Sequence, residues 1–201
     1  MQHTLSFKHK TNYLEEDFIV SPSNNEAFNW MRTEWNTHCS CIYGETGKTH
    51  LGHIWAKNND AVFLDEISMA DVRNTVLDNA DMLNEVELFH LYNTIKEQGK
   101  LLLLLAKTPP AKWGIQLPDL KSRLGSIPTV CIAPPDDMLI EALLIKHFSD
   151  RQLRVGKQVI TYIVSRIERT FNAVDEIVEQ LDTLSLAEKR EITIPLVKRF
   201  L

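Results

Sequence analysis

The chain has 201 residues, 44% hydrophobic and 24% charged, with a formal net charge of −5 at pH 7. That length holds one sizeable apolar core plus a small satellite, and the acidic balance gives no general attraction to a phosphate backbone, which favours protein or nucleotide partners over DNA. The three cysteines, Cys39, Cys41 and Cys131, have neither the number nor the spacing of a disulfide framework or zinc site.

The first 14 residues are polar and read as a flexible tail, with His and Lys where a signal peptide would carry its apolar segment. Pro22, Ser23 and Asn24 then offer capping oxygens for a helix expected over residues 25–33. A strand over 39–43 meets a glycine-containing turn and a helix over 48–56. Further β-type runs fall at 61–64, 74–78, 101–106 and 129–133, with helical stretches between several of them. This rhythm predicts an α/β base over 15–134, a parallel sheet flanked by helices. The run 101–106 is the longest apolar one and far too short to cross a bilayer, so a cytoplasmic protein without membrane association is expected. After Pro134 and Pro135, which suit a hinge, apolar residues recur at helical spacing in 138–148, 159–167 and 171–184. A small all-α lid over 135–201 is the expected second part.

Between the first strand and its helix lies Gly44-Glu45-Thr46-Gly47-Lys48-Thr49, the context of a phosphate-binding loop. Backbone amides and the helix dipole there hold phosphate oxygens, Lys48 reaches the β/γ phosphates, and the Thr49 hydroxyl binds Mg²⁺. The spacing is GxxGKT rather than GxxxxGK[ST], so the loop offers fewer amides, and ADP or ATP binding is expected to be weakened or lost if the loop is incompetent. The same six residues also fit a tight turn closed by a helix N-terminus. Two acidic pairs compete for the second metal position: Asp65 with Glu66, and Asp78 with Asn79.

Residues 42–51 (IYGETGKTHL), 87–93 (ELFHLYN), 117–124 (LPDLKSRL) and the ending EKREITIPLVKRFL together resemble the DnaA family, on the branch of its Hda regulators of alphaproteobacterial type. The resemblance runs from about Asp17 to the last residue. It implies an AAA+ P-loop base with a helical lid, able to bind ADP or ATP with Mg²⁺. It further implies docking on the DNA polymerase III β sliding clamp and stimulation of ATP hydrolysis by DnaA, which restrains replication initiation. On this resemblance Gly47, Lys48 and Thr49 match the P-loop, and Asp78 takes the metal position by its order ahead of ELFHLYN. Asn79 then stands where a second carboxylate would polarise water; an amide is no base, so intrinsic turnover is expected to be weak.

Arg123 matches the family's arginine finger, acting in trans, and Arg169 its sensor 2 arginine on the lid. Val20 and Asn24 match the adenine-side segment, and Gln2, Leu5 and Phe7 the clamp-binding hexapeptide. Blander readings stay open beside these: Arg123 as a surface pair with Asp119, Arg169 as an exposed helix arginine, the tail as an untethered end. An autonomous AAA+ ATPase that loads or remodels a replication protein is the competing function, and homo-oligomers are compatible with either. No helix-turn-helix follows the lid, so sequence-specific DNA binding is not expected. His38, His50, His53, His90 and His147 have no metal-site spacing, and the four tryptophans are assigned to packing.

Overall fold

The computed structural model describes residues 13–67 and 73–201. Five parallel strands, β1 (Cys39–Tyr43), β2 (Val62–Leu64), β3 (Thr75–Leu77), β4 (Leu102–Ala106) and β5 (Thr129–Cys131), form one sheet in the order β2-β3-β4-β1-β5. β1 and β4 are wholly or almost wholly buried, as runs such as Leu-Leu-Leu-Leu-Ala must be when helices cover both faces. Because all strands run parallel, the loops leaving β1, β3 and β4 gather at one edge, where ligands of open α/β sheets bind.

On one face α1 (Asn25–Met31) and α2 (Lys48–Asn58) bury Met31, Leu51, Ile54 and Trp55 against Ile42, Val76 and Leu105. On the other, α3 (Glu85–Glu97) and α4 (Pro118–Leu124) bury Leu88, Leu91, Ile95, Leu120 and Leu124 against Cys41, Leu77 and Leu104. Asn84 caps α3 by accepting from the amides of Val86 and Glu87. The cap expected for α1 is absent: Asn24 sits at the N-cap position, but its side chain makes no cap hydrogen bond. It holds the preceding turn instead, as described below. α1 also ends two residues before the expected 33, closing through the Arg32 amide on Asn29 O.

Beyond Pro134 and Pro135 the chain is helical throughout: α5 (Asp137–Asp150), α6 (Lys157–Val164), α7 (Phe171–Glu188) and α8 (Ile194–Val197). They enclose their own apolar cluster, including Leu144, Phe148, Ile163, Val178, Leu181 and Leu196. Asp136 caps α5 through the Leu139 amide and Thr170 caps α7 through the Ala173 amide. Among the described residues no helix is long and apolar enough to cross a membrane.

Candidate functional site

The loop from β1 to α2 depends on two glycines. Gly44 has φ +148°, and a Cβ on it would lie 2.4 Å from Ile132 O, so only glycine lets β1 turn against the exit of β5. Gly47, at φ +83°, heads α2 in the left-handed conformation. The amides of residues 45–49 hydrogen-bond to no described residue, which leaves the donor set that a helix N-terminus offers to an anion. Lys48 is only 7% exposed and donates to the carbonyls of Gly44 and Glu45. Burial pushes its pKa below the ordinary value, against the opposing pull of Asp78, Glu45 and Asp81. The ammonium is thus folded onto its own short loop and does not line the cleft beside it.

Thr49 Oγ1 donates to Asp78 Oδ2 at 2.8 Å, and Asp78 Oδ1 accepts from the Asn79 amide at 2.8 Å. Asp78, at the end of β3 and 7% exposed, therefore sits beside the phosphate loop. Asp65 and Glu66 are exposed, beyond β2 at the rim of the sheet. Asn79 is exposed with a left-handed backbone. A carboxylate that sequence reasoning passed over, Asp81, also reaches this edge, where its Oδ2 accepts from the Lys107 amide just past β4 at 3.2 Å.

Between base and lid lies a cavity of about 750 Å³, within the size range of small-molecule sites. Thr46, Gly47 and Thr49 line its phosphate-loop end, while Phe18, Ile19, Ile132, Leu139 and Leu143 make an apolar wall. Of the two adenine-side candidates, Asn24 lines the cleft and Val20 does not, being 41% exposed. Asn24 acts as a clamp: its Oδ1 accepts from Ser21 N at 2.9 Å and its Nδ2 donates to Ile19 O at 2.9 Å. The lid is latched over this space by Lys146, whose Nζ lies 2.5 Å from Asp17 Oδ1, and by Asp136 Oδ2, which accepts from Ser23 N at 2.8 Å.

Lining residues that the sequence did not assign to this site include Lys146 and His147 on α5 and Phe171 and Asp175 on α7, brought to the cleft by the packing of the lid helices. His147 Nδ1 is 2.9 Å from Asp175 Oδ1, and burial holds the imidazole below its ordinary pKa despite that carboxylate. Arg169 does not line the cleft. It pairs with Asp137 Oδ1 at 2.6 Å and caps α6 by donating to the carbonyls of Val164 and Ile167, each at 2.7 Å. Among the described residues no cluster of three His, Cys, Asp or Glu side chains is placed to hold a metal.

Arg123 belongs to a different part of the molecule. It lies on α4, on the sheet face opposite α2, and its guanidinium sits 4.8 Å from the centroid of Phe89 and 5.7 Å from that of Tyr92. It neighbours His38, which immediately precedes β1, whereas the phosphate loop immediately follows β1. Strand rise alone puts about 20 Å between those two ends. Among the described residues Arg123 makes no ion pair, so the expected alternative partner, Asp119, does not hold it.

Residues 136–201 match the family model of the Hda lid domain. Domain III of the DnaA replication initiation protein from Thermotoga maritima superposes with a TM-score of 0.75, at 18% identity, over 94% of this chain and 95% of that one. The chain is a DnaA/Hda-like AAA+ protein. The fold is shared more widely: the RuvB Holliday junction branch migration motor of Thermotoga maritima gives a TM-score of 0.70 at 17% identity, over 94% of this chain and 70% of that one. DnaA from Aquifex aeolicus, in a structure bound to AMPPCP, gives 0.68 at 19% identity, over 88% and 66%. An uncharacterized protein of Haemophilus influenzae is 32% identical over 139 residues, 68% of this chain and 58% of that protein. The chain thus spans little more than half of that relative. Thr49, which lines the cleft and donates to Asp78, joins this sheet edge to the space under the lid, and the amides, hydroxyl and carboxylate there fit a Mg²⁺-bound nucleoside polyphosphate in donor chemistry.

Proposed function

We propose that this DnaA/Hda-like AAA+ protein regulates replication initiation by supplying Arg123 in trans to ATP held by DnaA. The observation that carries the reading is the placement of Arg123: a half-buried guanidinium with no carboxylate partner among the described residues, on the face and end of the sheet away from its own phosphate loop. Such a charge stabilises the γ-phosphate of a neighbouring subunit in hydrolysis and is useless to its own. The Hda lid match supports DnaA as the partner, and the acidic balance supports a protein partner over DNA.

In this reading the chain's own site is a sensor. ADP or ATP bound under the lid would place its phosphates on the amides of residues 45–49, with Mg²⁺ on Thr49 and Asp78, and would supply the charge that draws Lys48 off its loop carbonyls. Arg169 would exchange Asp137 for phosphate as the lid closes, and the apolar wall around Ile19 would take the base. Docking on the DNA polymerase III β sliding clamp is assigned to Gln2, Leu5 and Phe7, which lie outside the described residues; an extended tail can bury two hydrophobes spaced by two. A cytoplasmic location follows from these partners.

The test is ATP turnover by purified DnaA in the presence of clamp on DNA, with this protein added as wild type or as Arg123→Ala. Stimulation lost in the variant supports the reading; no stimulation by either form overturns it. Removing residues 1–8 should abolish clamp binding, and unchanged clamp affinity would overturn that part.

One observation favours a second reading, an autonomous ATPase that loads or remodels a replication protein. The Thr49–Asp78 bond is a ready metal-site pair. Turnover by the isolated chain, abolished by Lys48→Ala, would select this reading.

A further inference from the structure

The motif ELFHLYN has no role in the account above, yet it carries both rings that touch Arg123. We infer that Phe89 and Tyr92 are positioning residues, an aromatic platform that presents the Arg123 guanidinium to a phosphate group carried by a partner. This inference rests on the trans-acting reading of Arg123 and adds the means by which its side chain is aimed.

Phe89 and Tyr92 stand three residues apart on α3 and so share one side of the helix, while Leu88, Leu91 and Ile95 anchor α3 in the core. Leu120 and Leu124, both buried, anchor α4 on either side of Arg123 in the same way. Two rigid helices therefore fix the rings and the arginine backbone relative to each other, leaving only the arginine side chain to be ordered. Centroid distances of 4.8 and 5.7 Å put the guanidinium within reach of both ring faces.

That no described acid pairs with Arg123 matters as much as the rings. A carboxylate would hold the guanidinium but neutralise it and occupy its donor fork; aromatic faces hold it through their quadrupoles and leave the edge donors free. The nearest carboxylates are engaged or set apart: Glu85 Oε2 accepts from the Gln116 and Leu117 amides, and Asp119 forms no ion pair with Arg123. Lys96 lies near His38, and the His38 ring packs edge-on against Tyr92 at 4.6 Å with its Nε2 buried and unpartnered. Among the described residues no carboxylate pairs with the Arg123 guanidinium, which leaves its donors open to an incoming anion. An arginine already ordered in this way needs no search when the partner's phosphate arrives, and an ordered group acts on a barrier more effectively than a mobile one.

The experiment uses the full chain as wild type, Phe89→Leu, Phe89→Tyr and Arg123→Ala. Phe89 is the ring to vary because it is only half-buried, whereas Tyr92 is part of the core. Two readouts are taken: the NMR shift of the Arg123 Nε–H group, which the rings move upfield, and the maximal rate of ATP hydrolysis by DnaA with its half-saturating concentration. Phe89→Leu is expected to move the Arg123 signal toward that of a free arginine. It should also lower the maximal rate about five-fold without changing half-saturation, and Phe89→Tyr should restore both. A wild-type signal without the upfield shift overturns the platform, as does a rate unchanged or raised by Phe89→Leu when Arg123→Ala abolishes it. If Arg123→Ala leaves the rate intact, the trans-acting reading fails and takes the platform with it.

Discussion

Thr49 and Asp78 meet at the C-terminal edge of the sheet, one from the start of α2 and the other from the end of β3, with the hydroxyl donating 2.8 Å to the carboxylate. Neither side chain has to move far to share a cation, because hydroxyl and carboxylate oxygens are the hard ligands that Mg²⁺ prefers. Asp78→Asn should therefore weaken the Mg²⁺-dependent part of ADP affinity by at least about ten-fold, the loss of one charged contact. Asp65→Asn should leave affinity unchanged. Titration with fluorescent ADP in Mg²⁺ and in EDTA separates the two, and an equal loss from Asp65→Asn would move the metal site to the edge strand.

Gly44→Ala tests the loop itself. The new methyl group would collide with Ile132 O at 2.4 Å while the backbone is held at φ +148°, a conformation that L residues rarely adopt. Strain and overpacking together should cost about 2–4 kcal/mol, read as a fall in the urea midpoint of the base. A variant as stable as wild type would mean that β1 and β5 can separate there without cost.

Much of this architecture was legible from residue pattern. The all-apolar β4 and the strand–GETGKT–helix unit pointed to the parallel sheet, whereas Asp78 was preferred to Asp65 through the family resemblance, and the structure sets Asp78 beside Thr49. Other parts were not legible because they depend on packing across long sequence separations. Asn24 reads as a helix cap locally, but Ile19 O and Ser21 N compete for its amide and win. The Lys146–Asp17 latch joins residues far apart in the chain, and no periodicity marks it. The aromatic bed of Arg123 was present in the motif as two rings three apart, yet only the placement of α4 beside α3 reveals what they hold.

Stability should fall on mild acidification. His38 is held below its ordinary pKa of 6.5 by burial first, and then by Lys96 and Arg123; His53 and His147 are likewise lowered by burial. For a histidine whose folded pKa is depressed, the unfolded chain binds the proton more readily, so stability rises with pH in that window. The contribution is intact above pH 6.5 and is lost progressively as pH falls from there toward the folded values. Urea midpoints measured from pH 8 to 5.5 should decline, and His38→Phe should flatten part of the slope. A midpoint that rises on acidification would contradict the burial of these rings.

Asn24 offers the sharpest separation between scaffold and ligand contact. Its side chain satisfies a buried amide at Ser21 and a carbonyl at Ile19, so Asn24→Ala strands both and should cost about 1–3 kcal/mol. Asn24→Asp keeps the acceptor for Ser21 N but loses the donor to Ile19 O, and should fall between the two. Because Ile19 lines the apolar wall of the cleft, releasing its carbonyl should also weaken ADP binding, in the same order as the loss of stability. Val20→Ala, at an exposed position outside the lining, should change stability by less than about 0.5 kcal/mol and leave ADP affinity as it was. Denaturation midpoints beside ADP titrations for the three variants decide the matter: if Val20→Ala weakens ADP while Asn24→Ala does not, the base is held by the face of this segment that points away from the cleft, and the assignment of Ile19 to the apolar wall is wrong.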